Sequence, residues 1–274
     1  VTGAPTSRPP LDSSALAEAF DKLPDLSLEL LPEAASTNQV AAERARAGAP
    51  EGLVVVADHQ TAGRGRLDRT WETPPGTAVT FSLMLRPSVA PAAWPWLPLL
   101  TGHTVAKALR ALGYDARVKW PNDVLVDDRK VAGILVERVE TPDGPAAIVG
   151  AGINVDLGED ELPVATATSL GIAAHDGTAV PDRETVLLDV VAAVREGYDA
   201  WQAGGEAAAS RLAASYSANC ATIGQEVRVD LPGGESMTGT ATAVDPDGRL
   251  VVDTVGGTER VGAGDVVHVR PAGK

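Results

Sequence analysis

One stretch constrains the chain more than any other. Leu53-Val54-Val55-Val56-Ala57 is a continuous apolar run, the pattern of a strand buried on both faces. It feeds directly into Asp58-His59-Gln60-Thr61-Ala62-Gly63-Arg64-Gly65-Arg66-Leu67-Asp68-Arg69-Thr70-Trp71, where the apolar pattern stops. A loop alternating glycine and arginine after a buried strand is either an ordinary solvated loop or a site for an anionic ligand. The glycines let backbone approach a ligand closely, and each guanidinium offers a planar fork of donors to phosphate or carboxylate. The loop matches neither the dinucleotide G-x-G-x-x-G nor the G-x-x-x-x-G-K-[ST] phosphate loop.

The cationic loop is a local exception. The 274 residues carry a formal net charge of −14 and a pI near 4.7, which disfavours a general nucleic-acid binder. Cys220 is the only cysteine, so no internal disulfide can form, and a reducing compartment is expected. His59, His103, His175 and His268 are scattered without metal-ligand spacing. No apolar run approaches the roughly 18 residues of a membrane span, and no signal-peptide pattern is present, so a cytoplasmic protein without membrane partners is expected. Residues 1–10 read as a disordered tail.

The coarse reading alternates strands and helices. A capped helix is expected at 12–22, a strand at 26–31, and a helix from Ser36-Thr37-Asn38 to Ala47, which Gly48 ends. Strands follow at 53–58 and 78–85, then helical periodicity at 91–112, with Trp94 and Trp96 as packing aromatics. Short strands flank the turn Pro121-Asn122-Asp123, and longer ones cover 130–137 and 148–155. Residues 158–180 are loop-rich, and helices span 181–203 and 206–218. From Thr222 onward, short strands at 226–231, 237–244, 250–254 and 266–270 suggest a small barrel.

Several polar residues have two readings. Ser36-Thr37-Asn38 is either a helix cap or a turn that aims hydroxyl and amide groups at a neutral polar ligand. Lys119 is either an edge lysine reaching water or a fixed cation facing a ligand. Gly133, inside a strand, marks close approach by a ligand or another backbone. Asn154 is an isolated amide in an apolar run and needs partners. The chain holds only five lysines and four asparagines. Lys119, Lys130, Asn38, Asn122 and Asn154 all fall within these stretches.

Taken in order and spacing, Ser36-Thr37-Asn38, Gly63-Arg64-Gly65-Arg66, Lys119-Trp120-Pro121-Asn122-Asp123, Lys130 through Glu137 and Gly150-Ala151-Gly152-Ile153-Asn154 resemble the biotin protein ligase family. The resemblance is strong over residues 30–156 and looser over the C-terminal strands. It implies an α+β fold, a central mixed sheet with flanking helices similar to class II aminoacyl-tRNA synthetases, followed by an SH3-like barrel. The implied division is a tail and short helix at 1–24, a biotin/ATP domain at 25–220 and the small domain at 221–270.

The implied chemistry is formation of biotinyl-5′-AMP from biotin and ATP with Mg²⁺, then transfer of biotin to a lysine of a biotin carboxyl carrier domain. By that resemblance Ser36, Thr37, Asn38, Gln60, Arg64, Gly65, Arg66, Lys119 and Gly133 face biotin. Arg64, Arg66, Arg69, Trp71, Asn122, Lys130 and Asn154 face ATP or the adenylate. Lys119 and Arg64 are the expected catalytic cations, with Arg64 retaining the finished adenylate. No side chain is expected to hold the metal. Many members have glycine where this chain has Asp68. About 30 residues precede the first catalytic strand, too few for the winged-helix module that makes some members repressors, so a ligase without DNA binding is expected. The sister lipoate ligases share the fold but typically carry an Arg-Arg-x-Ser-Gly-Gly-Gly run, which this chain lacks. A non-catalytic biotin or nucleotide sensor would not need both Lys119 and the arginine loop.

Overall fold

The computed structural model describes residues 8–175, 179–231 and 233–268. In chain order the elements are α1 (Ser13–Phe20), β1 (Ser27–Ala34), α2 (Thr37–Arg46), β2 (Leu53–Gln60), β3 (Gly63–Arg64), β4 (Thr70–Trp71), β5 (Ala78–Leu85), α3 (Trp96–Ala111), β6 (Ala116–Lys119), β7 (Asp123–Val126), β8 (Arg129–Val139) and β9 (Ala146–Asn154). Then come α4 (Leu170–Ala173), α5 (Arg183–Ala203), α6 (Gly205–Ala218), β10 (Glu226–Asp230), β11 (Ser236–Val244), β12 (Leu250–Thr254), β13 (Gly257–Val261) and β14 (Asp265–His268).

Seven strands form one mixed sheet in the order β1-β2-β5-β9-β8-β7-β6. Only β1 and β2 pair in parallel; the other neighbours are antiparallel. The apolar run in β2 is continuous because both faces of the sheet are covered. Val54 and Val56 face the large core that also holds residues of α3 and α5, while Leu53 and Val55 face a smaller core beneath α2. The same alternation runs through β9. Val149, Ala151 and Ile153 enter the large core, and Ile148 lies on the α2 side. Gly150, Gly152 and Asn154 therefore continue along the α2 side. This phase carries the floor of the functional cleft.

The C-terminal strands form a five-stranded antiparallel sheet, ordered β13-β12-β11-β10-β14. Four strands are legible in the sequence; the fifth, β13, reads Gly-Thr-Glu-Arg-Val and is almost wholly exposed, so it has no apolar signature. The segment expected as a strand through Arg270 is β14 to His268; residues 269–270 lie outside the described residues. The small sheet docks through two indoles. Trp96 Nε1 donates to the Pro246 carbonyl at 2.7 Å and Trp120 Nε1 to the Gly248 carbonyl at 3.2 Å. Its apolar residues join the same core as the main sheet.

Two expectations need correction. The helix expected over 91–112 is a 3-10 turn at Pro91–Ala93 and then α3, because prolines 91, 95 and 98 crowd its start and a proline ring lacks the donor an inner turn needs. The N-terminal tail is not free throughout. Residues 1–7 lie outside the described residues, but Arg8 pairs with Asp156 at 3.0 Å and Glu161 at 2.7 Å, and Pro9 accepts from Arg183 at 2.6 Å.

Candidate functional site

The cleft opens on the α2 side of the sheet. It is lined by Ser36, Thr37, Asn38, Gln60, Arg64, Gly65, Arg66, Arg69, Trp71, Lys119, Asn122, Lys130 and Gly133, every expected site residue except Asn154. Ser82 and Glu137, which sequence reasoning did not single out, tie its inner wall together.

At the inner end the side chains form a polar network among themselves. Ser36 occupies the cap position of α2, yet its hydroxyl makes no capping bond. The side chain lies in the cleft lining instead. Gln60 Oε1 accepts from the Thr37 amide at 2.7 Å and from its hydroxyl at 3.1 Å. Ser82 Oγ lies 2.8 Å from Thr37 Oγ1 and 2.6 Å from Asn38 Oδ1. Asn38 Nδ2 donates to Glu137 at 2.8 Å and to the Leu135 carbonyl at 3.3 Å. Thr37, Asn38 and Ser82 are buried, and buried polar groups stay in place when their partners are satisfied. Gly150 makes room: a Cβ there would stand 2.2 Å from Asn38 Oδ1.

The outer end is different. The indole of Trp71 lies over two glycines; a Cβ on Gly152 would stand 2.5 Å from the ring, and one on Gly133 3.1 Å. Gly133 thus gives room to an aromatic ring rather than to another strand. Lys130 Nζ sits 5.7 Å from the Trp71 ring centroid and 2.6 Å from Asp123. Trp71 Nε1 and Asn154 Oδ1 are buried with no hydrogen-bond partner among the described residues. Asn154 lies two residues beyond Gly152, outside the cleft lining, and its Nδ2 donates to the Thr168 carbonyl at 2.9 Å. The Thr168 amide in turn donates to the Lys130 carbonyl at 2.8 Å, so Asn154 also fixes the strand that carries Lys130.

The arginine loop folds back as the β3–β4 hairpin, pairing Gly63 with Trp71 and Arg64 with Thr70. Any side chain at position 63 would strike the Trp71 carbonyl, at 2.2 Å from Cβ. Leu67 and Asp68 both have left-handed backbone, φ 55° and 56°. That geometry explains why glycine suits the place of Asp68; aspartate is one of the few other residues that adopt it readily.

The three arginines point different ways. Arg64 reaches Glu137 at 2.8 Å with half its side chain exposed, at the rim and on the carboxylate that also holds Asn38. Arg66 is the inward one, donating to Asn122 Oδ1 at 3.2 Å and to the Gly264 carbonyl at 3.2 Å; burial pulls its guanidinium below the usual range. Arg69 pairs with Asp265, whose hydrogen bonds hold it above that range. Asn122 is anchored by its own bond from Nδ2 to the Ile134 carbonyl, 2.9 Å.

Lys119 closes β6, the edge strand, and lines the cleft. Among the described residues no group of three or more acidic, histidine or cysteine side chains could hold a metal.

Comparison with known proteins bears on this arrangement. Residues 31–154 match the biotin/lipoate A/B protein ligase family, and residues 222–269 match the biotin protein ligase C terminal domain. The chain is 37% identical to the biotin–[acetyl-CoA-carboxylase] ligase of Mycobacterium tuberculosis, over 96% of this chain and 97% of that one. Its structure resembles the Aquifex aeolicus biotin protein ligase in complex with biotin and ATP, with a TM-score of 0.74 and 29% identity over 89% of this chain and 99% of that one. It also resembles the Leishmania major biotin protein ligase in complex with biotinyl-5-AMP, with a TM-score of 0.58 and 25% identity over 86% of this chain and 99% of that one. With motifs, cleft and both sheets in agreement, the chain belongs to the biotin protein ligase family.

Proposed function

We propose that this enzyme, a biotin–protein ligase by family, activates biotin as biotinyl-5′-AMP in this cleft and passes it to a lysine of a carboxylase's biotin carboxyl carrier domain. The observation that carries the reading is the joining of two chemistries in one cleft. A preassembled neutral network suits the urea-like head of biotin, because it offers both donors and acceptors. Beyond it stand Lys119, Lys130, Arg66 and Arg69, which suit phosphates.

Both reacting groups are anions at neutral pH. The biotin carboxylate attacks the α-phosphorus, an O–P bond forms, and pyrophosphate leaves. No proton has to be removed from the nucleophile. What lowers the barrier is fixed positive charge at the place where two anions meet. Lys119 on its sheet strand is suited to that task, and the flexible-stemmed loop cations to the phosphate chain. Asn154 Oδ1, a buried acceptor with no partner among the described residues, fits an exocyclic amine such as that of adenine. Trp71 presents the aromatic face against which a base can stack. In the second step the carrier amine attacks the mixed anhydride, an amide bond forms, AMP leaves and the amine loses a proton.

For Mg²⁺, Asp123 and Asp265 line the cleft but are paired with Lys130 and Arg69. The donor set fits a metal carried on phosphate oxygens, where it would neutralise charge, rather than a protein cage. We place the division between the catalytic and small domains at 220/221. No helix among the described residues is long and apolar enough to cross a membrane. We infer a cytoplasmic enzyme that does not bind operator DNA.

The test is incubation of the purified protein with biotin, ATP and Mg²⁺, followed by mass spectrometry. Biotinyl-AMP should form with biotin and no acyl-adenylate with lipoate or octanoate. Equal turnover of lipoate would move the chain to the sister activity. A biotinyl-AMP-dependent, sequence-specific gel shift at physiological salt would refute the reading as a ligase without DNA binding.

A further inference from the structure

Two of the loop's cations are held from 196 and 198 residues away. Arg69 donates to both carboxylate oxygens of Asp265, and Arg66 donates to the Gly264 carbonyl. Both acceptors lie at the start of β14, in the small domain. That position is well fixed. Asp265 pairs with Asp230 in the β10–β14 ladder, and a Cβ on Gly264 would stand 2.9 Å from Val229 and 3.1 Å from the Asp230 carbonyl. The Asp265 carboxylate also raises the affinity of Arg66 for its proton, so it acts on both arginines. Asp265 and Val266 belong to the cleft lining, alongside Lys119 and Asn122.

From these contacts we propose that Asp265 is an internal anion that latches the arginine loop while no polyphosphate is bound, and that an incoming polyphosphate must displace it. The inference rests on the proposed ATP site and adds a competitor within it. Geometry gives the carboxylate the same partners a phosphate would want: a fork of guanidinium donors at the cleft mouth. The pair is weak enough to yield. Arg69 is 62% exposed and Asp265 27%, and ion pairs in such settings contribute little. A bound polyphosphate would bring several negative charges, and a carboxylate left facing them would repel. The latch therefore exchanges one charge partner for another, so the loop need not be ordered from a free state each time substrate arrives. Asp265 is a positioning residue, acting through Arg69 and Arg66.

The sign of the effect separates this from a merely structural role. Loss of a scaffold residue weakens ligand binding; loss of a competitor strengthens it. Asp265→Asn in the full chain should tighten binding of inorganic tripolyphosphate by roughly two- to five-fold by calorimetry, the scale of an exposed ion pair. Hydrogen exchange of residues 63–70 should quicken without ligand and return to the parent's rate when tripolyphosphate saturates. In an Arg69→Ala background the same substitution should change tripolyphosphate affinity far less, because the shared partner is gone. Unchanged or weaker binding in the single variant, or an equal gain in the Arg69→Ala background, overturns the latch. Neither readout needs biotin turnover, so a protein that never makes an adenylate would sink the proposed function and leave this result standing.

Discussion

The two ends of the cleft solve opposite problems. At the inner end, Thr37, Asn38 and Ser82 are buried and, with Gln60, are satisfied by one another. At the outer end, Trp71 Nε1 and Asn154 Oδ1 are buried with no hydrogen-bond partner among the described residues, and cations lean on acids: Lys130 on Asp123, Arg69 on Asp265. The difference follows from the ligand groups each end would meet. Neutral donors and acceptors can hold one another in a fixed geometry and still present spare lone pairs and protons. Charged groups cannot be left bare at low dielectric, so they are held by counter-charges that a charged ligand can replace. Arg66 has no ion pair among the described residues but donates to Asn122 and the Gly264 carbonyl; Lys119 is the exception, a cleft cation with neither an ion pair nor a side-chain hydrogen bond among them.

That exception gives the largest expected effect. Lys119→Ala should cut biotin-dependent pyrophosphate release about 10²–10³-fold, the scale of losing one preorganised donor. Its biotin KM should change less, because the inner network is untouched. A loss below about three-fold would return Lys119 to an ordinary edge lysine and remove the contrast between aimed and leaning cations.

The arginines sharpen the comparison next. Arg66 points inward onto Asn122, while Arg64 spends itself at the rim on Glu137. Arg66→Ala should speed dissociation of biotinyl-AMP by about 10–100-fold, the range for losing a charge-assisted hydrogen bond. Arg64→Ala should speed it only a few-fold. Stopped-flow release of the adenylate from both variants decides the order. If Arg64→Ala leaks faster, the sequence-based assignment of retention to Arg64 was the better one and the inward geometry of Arg66 is not the controlling feature.

How much of this was legible in the sequence depends on distance along the chain. The continuous apolar run of β2 and the alternation in β5 gave their strands away, because burial on two faces leaves a mark on every residue. The arginine–glycine loop and Lys119 were legible because their composition is unusual for an acidic chain. What stayed hidden was pairing. Nothing in the sequence near Arg69 points to Asp265, and β13 has too few apolar residues to announce a strand. The direction of Arg64 was also hidden, since it depends on Glu137 on β8, which the strand pattern presents as one more alternating residue. Ser82 is the instructive miss. A signal existed: Thr80 and Ser82 are the polar members of an otherwise apolar β5, two apart and hence on one face. Two polar residues on one face of a buried strand indicate a polar cavity under α2.

Ser82 therefore supplies the finest test of the comparison. Its hydroxyl is fully buried and lies within hydrogen-bond distance of both Thr37 and Asn38. Ser82→Ala would leave one buried acceptor short of a donor, since a hydroxyl carries a single proton, while removing only one oxygen atom, so the backbone of β5 has no reason to shift. The cost of one such unmet bond is about 1 kcal/mol or a little more. If the inner end is a preassembled biotin site, that cost appears in binding: biotin KM should rise about five- to ten-fold, with kcat and ATP KM nearly unchanged. The same substitution should leave tripolyphosphate affinity at the parent's value, since the outer end is held by different partners. Equal losses for biotin and tripolyphosphate would mean that the two ends are one coupled network and that their separate logics, satisfied inside and counter-charged outside, do not describe how the cleft works.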